Sequence, residues 1–200
     1  KFTAYQGFDA LFHSTEVYIS KFANLFSDMV ALTAIENVAK NLAKAVSDGE
    51  NLEVSEKVAF ANTLSGYSMV TGTCTSEHAM EHAMSAYHHD LPHGAGLIMI
   101  SKAYYQYFVD CHACDERFIR MAQAMGMPEA DKAQDFITML DNLQKDCGVD
   151  NLKMSDYGFT KDEFQVLAEN ARATMGGLFM SDPVYLSSED CVKIFEKSYK

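Results

Sequence analysis

The residues of this chain that could carry chemistry gather in two short stretches. In His78-Ala-Met-Glu-His82 two imidazoles stand one helical turn apart, and Pro92-His93-Gly94 delivers a third from a turn. Far upstream, Asp9-Ala-Leu-Phe-His13 sets a carboxylate and an imidazole at the same i, i+4 spacing. Side chains four apart on a helix share a face, with Cβ atoms about 6 Å apart, so each pair can reach one point. Imidazoles with one carboxylate make a mixed nitrogen–oxygen donor set. That set suits a borderline divalent ion such as Fe2+ or Zn2+ better than Ca2+ or Mg2+, which take oxygen ligands. The expectation is one metal site assembled from two helices and a loop.

Each spacing taken alone is also what a packing or surface pair presents. Asp9 reads equally as a first-turn acid favoured by the helix dipole. The zinc-peptidase pattern His-Glu-x-x-His is absent, because Ala79 follows His78 and the acid is Glu81. Cys111-His-Ala-Cys114 is half a zinc knuckle without its second half, and His88 and His89 read as solvated loop residues.

The composition narrows the partners. The net charge of −12 argues against a nucleic-acid surface, which needs clustered Lys and Arg to neutralise phosphates. The five cysteines are odd in number and unevenly spaced, as expected of reduced thiols in a cytoplasmic protein rather than of a disulfide framework. No apolar run approaches the roughly 18 residues of a membrane span, and the start Lys-Phe-Thr-Ala-Tyr has no signal-peptide character. It also lacks an initiator Met, as expected of a fragment or a processed chain.

Helical periodicity dominates, and only three prolines interrupt it. Phe8, Leu11, Phe12, Thr15, Tyr18, Ile19 and Phe22 form the stripe of a first helix. Ser27 reads as the N-cap of a second, with Met29, Leu32, Ile35, Ala39, Leu42 and Val46 inward and Gly49 as its stop. A third helix is expected from about 54 to 70, and a fourth carrying His78 and His82. Pro92 opens a fifth whose apolar body is 97–109, and Gly148 ends one over 130–147. The Tyr104, Tyr105, Tyr107 and Phe108 cluster reads as core with polar rims. Thr160-Lys-Asp-Glu163 and Ser187-Ser-Glu-Asp190 are capping patterns. The fold class expected is all-α: one helical domain of about nine helices over residues 1–200.

Taken together, the motifs resemble the iron-containing (group III) alcohol dehydrogenase family. The resemblance rests on Gly7-Phe-Asp9-Ala-Leu-Phe-His13-Ser-Thr-Glu16-Val-Tyr18-Ile-Ser20, on His78-Ala-Met-Glu-His82 with Pro92-His93-Gly94, and on the ending from Asp182 to Phe195. It implies a dehydroquinate-synthase-like C-terminal helical domain, without the N-terminal α/β domain that binds the nucleotide. Gly94-Ala-Gly96 is no substitute, since Met99 stands where a dinucleotide fingerprint wants glycine and no strand precedes it. The resemblance further implies four metal ligands, Asp9, His13, His78 and His93, for Fe2+, with Zn2+ also suited to the donors. His82 is implied as a catalytic neighbour that handles the released proton. The activity implied is reversible alcohol–aldehyde oxidoreduction by metal-assisted hydride transfer to NAD or NADP. Its substrate is a small alcohol, with no nucleic-acid or membrane partner, and a homodimer is compatible with it. The alternatives are a glycerol-dehydrogenase-like or dehydroquinate-synthase-like enzyme, and a helical metal-binding module without catalysis.

Overall fold

Nine α-helices order the chain: α1 (Phe2–Ile19), α2 (Leu25–Ser47), α3 (Leu52–Thr71), α4 (Ser76–Tyr87), α5 (His93–Asp110), α6 (Asp115–Ala124), α7 (Gln134–Asp146), α8 (Phe164–Phe179) and α9 (Ser188–Ser198). The computed structural model describes all residues from 1 to 200 and contains no strand. Two short 3-10 turns, Met154–Tyr157 and Lys161–Glu163, lead into α8. α1 is the central element, packed against α2, α3, α5 and α6, while α4 lies between α5 and α8. One continuous apolar core runs through the molecule.

The first stripe holds as far as Ile19. Phe8, Leu11, Phe12, Thr15, Tyr18 and Ile19 are buried, but Phe22 lies beyond the helix and is exposed. Ser27 does not cap α2. Asn24 does, accepting from the Phe26 and Ser27 amides, while the Ser27 hydroxyl accepts from the Asn24 amide. The inward face of α2 is also turned from the expected one. Val30, Ala31, Ala34, Ile35, Val38, Leu42 and Ala45 are buried, whereas Met29 is exposed. The seam is tightly packed: a Cβ on Gly7 of α1 would lie 2.2 Å from Leu42 Cδ1, so glycine there leaves the room that Leu42 fills.

α7 begins four residues later than the periodicity suggested, after a turn through Ala130 and Ala133. The Thr160–Glu163 box forms, and so does the Ser187–Asp190 box at α9. His88 is not a solvated loop residue. Its ring lies on Phe159, with centroids 3.7 Å apart, and its Nε2 stands 3.0 Å from Glu163. Tyr104 and Tyr105 are wholly buried, and their hydroxyls enter a polar network described below.

Candidate metal centre

Three helices meet where α1 crosses the starts of α4 and α5. The crossing is tight because a glycine permits it: a Cβ on Gly94, in the first turn of α5, would sit 2.3 Å from the Tyr5 carbonyl oxygen. Neither backbone can move aside, so glycine is required for α5 to reach α1 one turn from Asp9. Asp9 itself lies well inside α1, not in its first turn, so helix-dipole stabilisation does not explain it.

Asp9 Oδ1 is the meeting point. His13 Nε2 stands 3.3 Å from it, His78 Nε2 3.3 Å and His93 Nε2 3.4 Å. Ligand atoms about 2.0–2.1 Å from one tetrahedral ion lie roughly 3.3–3.4 Å from each other. The observed separations therefore fit the edges of a coordination shell, and the donor set fits a borderline divalent ion. Asp9, His78 and His93 place donor atoms within 4.8 Å of one another. His13 joins through the Asp9 oxygen and through its ring, which stacks on His78 at 4.0 Å between centroids. Of the five residues singled out from the sequence, these four converge. His82 is exposed and stands apart, its ring edge-on to His93 at 5.3 Å and 6.5 Å from His78.

The back nitrogens of the histidines have partners that sequence reasoning did not assign. His78 Nδ1 is hydrogen-bonded to Glu16, and His93 Nδ1 faces Glu81; both carboxylates are fully buried. His13 Nδ1 has a softer neighbour, the Cys74 thiol at 3.6 Å. A histidine whose Nδ1–H points at a carboxylate presents its Nε2 lone pair outward, the arrangement that second partners impose on metal-ligating imidazoles. One signal was present in the sequence. Glu16 lies seven residues after Asp9, which is two turns along the same face of α1.

The electrostatics follow from these contacts. Burial would raise the Asp9 pKa, but hydrogen bonds from His78 and His93 and the nearby His13 hold it well below the usual carboxylate range. Burial also opposes charge on His78 and His93. Their carboxylate partners outweigh it, taking His78 up to about 10 and His93 to about 9. His13 is pushed down to about 4 by burial and by the charge on His78. Burial likewise lowers His82, leaving a neutral, solvent-facing imidazole at neutral pH.

α4 is held in register by carboxylates from distant parts of the chain. Thr75 precedes it but makes no side-chain cap. Instead Glu16 Oε1 accepts from the His78 amide at 3.3 Å and from the Thr75 hydroxyl at 3.2 Å. Asp182 accepts from the Ser76 amide at 2.9 Å, the Ser76 hydroxyl at 2.8 Å and the Tyr104 hydroxyl at 3.2 Å. Negative groups at a helix N-terminus satisfy its free amides and its dipole. Behind them, Tyr105 donates to the buried Glu77 at 2.5 Å and meets the Thr15 hydroxyl at 2.6 Å. Burial and the Glu16 charge hold Glu77 well above the usual carboxylate range.

Beside the histidines opens a hollow of about 410 Å³, lined by His13, His78, His82 and by the apolar side chains of Met69, Met175 and Leu178. α8 breaks at Met175 (φ −131°, ψ 34°), which turns that residue into the wall.

The whole chain matches a known family. Residues 3–199 match the model of the Fe-containing alcohol dehydrogenase family, C-terminal. The chain belongs to the iron-containing alcohol dehydrogenases. Among relatives of the family, the 1,3-propanediol dehydrogenase of Klebsiella pneumoniae is 31% identical over 202 residues, covering 98% of this chain and 51% of that protein. The long-chain primary alcohol dehydrogenase of Thermoanaerobacter ethanolicus is 30% identical, covering 96% of this chain and 48% of that protein. Among solved structures, an archaeal halo-thermophilic alcohol dehydrogenase from a Red Sea brine pool superposes with a TM-score of 0.92 at 33% identity. It covers 98% of this chain and 50% of that one. A 1,3-propanediol oxidoreductase superposes with a TM-score of 0.90 at 30% identity, with 98% and 51% covered. The chain thus corresponds to the C-terminal half of these enzymes and spans about half the length of the relatives it matches.

Proposed function

We propose that this chain supplies the metal-holding half of an NAD(P)-dependent alcohol dehydrogenase, with Asp9, His13, His78 and His93 as the ligands of a divalent ion. The observation that carries the reading is the convergence of three imidazole Nε2 atoms on one Asp9 oxygen. Fe2+ is the ion proposed, on the family's name, and Zn2+ is its natural competitor at such a donor set. When bound, a divalent ion supplies Lewis acidity toward an alcohol oxygen and compensation for developing negative charge.

The chain's own residues do the rest. Asp9 contributes the one carboxylate among the four ligands, so net positive charge is left at the centre. Glu16 and Glu81 orient His78 and His93. His82, neutral and open to solvent, is placed to take up the proton that leaves the hydroxyl and pass it outward. Met69, Met175 and Leu178 give the aliphatic part of a small alcohol or aldehyde an apolar wall and exclude water from it. Nicotinamide binding is proposed to rest with the remaining length of the full protein, since nothing in this helical half forms a phosphate-binding strand–turn–helix.

The test uses the full-length protein prepared without oxygen. Metal analysis should find one divalent ion per chain. Reduction of NAD or NADP should depend on a primary alcohol and on that ion. Metal uptake without alcohol-dependent reduction would return the chain to a non-catalytic metal-binding module. Absence of any bound divalent ion would refute the reading outright.

A further inference from the structure

Glu81 is a buried carboxylate with one unexplained oxygen. It lies on α4, fully buried against the start of α5. Its Oε1 accepts from the Ser85 hydroxyl at 2.5 Å. Its Oε2 has no hydrogen-bond partner and lies in ion-pair contact with His93 Nδ1. A carboxylate left half-satisfied in a core is costly, more so than a neutral acceptor in the same place. The fold nevertheless makes space for it. A Cβ on Gly96 of α5 would lie 2.7 Å from both Glu81 Cγ and Glu81 Oε1. Glycine at that position is what allows the carboxylate to sit under the His93 ring.

The consequence for His93 is geometric. A neutral imidazole carries one proton on one of two nitrogens, and an ionised carboxylate can only accept. When Nε2 gives up its proton for an ion, Glu81 keeps the remaining proton on Nδ1 and the lone pair stays on Nε2, which stands 3.4 Å from Asp9 Oδ1. It also resists a flip of the ring, which would put carbon where nitrogen is needed. Because Nδ1 and Nε2 are on different edges of the ring, Glu81 cannot reach the same ion as Nε2.

We propose that Glu81 is a positioning residue of the metal centre, fixing the ligand nitrogen and ring orientation of His93, with Gly96 as the space it requires. The proposal rests on the reading of the Asp9 cluster as a divalent-ion site. It competes with one alternative: Glu81, His82 and His93 place donor atoms within 4.8 Å of one another, so Glu81 could instead be a ligand of a second ion.

The experiment titrates Co2+, whose visible bands report its ligands, into the intact metal-free protein. Wild type should bind one Co2+. Glu81→Ala should weaken binding about 10–100-fold and alter the bands, as loss of a partner to a ligating histidine does. Glu81→Gln, whose carbonyl still accepts from Nδ1–H, should bind within a few fold of wild type. Ser85→Ala, which loses only the contact to Oε1, should behave like Glu81→Gln. In the Zn2+-loaded wild type, NMR should show a slowly exchanging His93 Nδ1–H, a readout that needs no variant to fold. Absence of that proton overturns the proposal. So does Co2+ binding by Glu81→Ala within twofold of wild type with unchanged bands, or a stoichiometry that falls from two ions to one in that variant. A wild type that takes up no divalent ion overturns both this and the functional reading. One that binds the ion but oxidises no alcohol overturns only the function.

Discussion

Two regions of this molecule invert the usual pattern in opposite senses. At the junction of α1, α4 and α5, polar and ionisable groups are buried: Glu16, Glu77, Glu81, His78 and Asp182 all lie in the interior. Where α2 starts and α3 ends, apolar groups are exposed instead: Phe22, Leu25, Phe26 and Met29, and Tyr67 and Val70. The two helix ends are tied there by Asn24 Nδ2 donating to the Thr71 carbonyl at 2.7 Å. The difference lies in what each group touches. Glu16 and Asp182 between them accept from a histidine and from the start of α4, while Glu77 and Glu81 are each hydrogen-bonded through one oxygen only. The exposed apolar side chains instead lie open to solvent. Buried polar groups are expensive unless paired, so a cluster of paired ones marks the part of the fold with a specific task.

That contrast can be broken at its centre. Asp9→Ala removes the atom on which all three imidazoles converge. Divalent-ion affinity should fall by more than about a hundredfold, beyond the loss that a partner of a ligand causes. Calorimetric titration of the intact protein measures it, and retention of wild-type affinity would show that the junction serves another purpose. Gly94→Ala should come next. The new methyl meets the Tyr5 carbonyl, so α5 must shift away from α1. Stability should drop by about 1–3 kcal/mol in chemical denaturation, with His93 displaced from Asp9.

Asp182 gives a prediction in pH. Burial pushes its carboxyl up to about 7, above the ordinary value of 3.8, despite the donors from Ser76 and Tyr104. The folded state therefore holds that proton more tightly than the unfolded one between about pH 4 and pH 7. Protonated Asp182 favours folding, so its contribution is full below the unfolded value and declines as pH rises through 7. Asp182→Asn cannot titrate. The difference in melting temperature between wild type and this variant should change across pH 5–8, with wild type losing ground as pH rises. A difference that stays constant would place the Asp182 pKa elsewhere. The smallest effect belongs to the other region. Leu25→Ser, on a side chain 91% exposed, should alter stability by less than about 0.5 kcal/mol and leave metal affinity unchanged. A large loss there would mean that the apolar end is structural after all.

Much of the fold was legible because helical periodicity and end signals are local. The inward face of α1, the start of α5 at Pro92 and the capping boxes at Thr160 and Ser187 all stand as their residues indicate. The errors were local signals overruled by neighbours. Ser27 looks like a cap, but Asn24 has the extended backbone from which a side chain can reach back to the first amides. Met29 looks inward by its apolarity, but the buried face of α2 runs through Val30, Ala31, Ala34, Ile35 and Val38 and leaves it outside. His88 looks solvated beside His89, yet Phe159 and Glu163, brought from a different part of the chain, cover it.

The sequence alone determined the residue types of the candidate centre and their i, i+4 spacing. It also determined the helices that carry them and a resemblance specific enough to name the family. Those follow from residue identity over one or two turns, where the geometry of a helix is known in advance. Only the tertiary structure decided that three imidazoles share one Asp9 oxygen, that His82 stands aside, and that Glu16, Glu81 and Asp182 come to lie against the histidines and the start of α4. Such contacts join α1, α4, α5 and the loop after α8. They are accompanied by close approaches at Gly94 and Gly96 that no local pattern encodes.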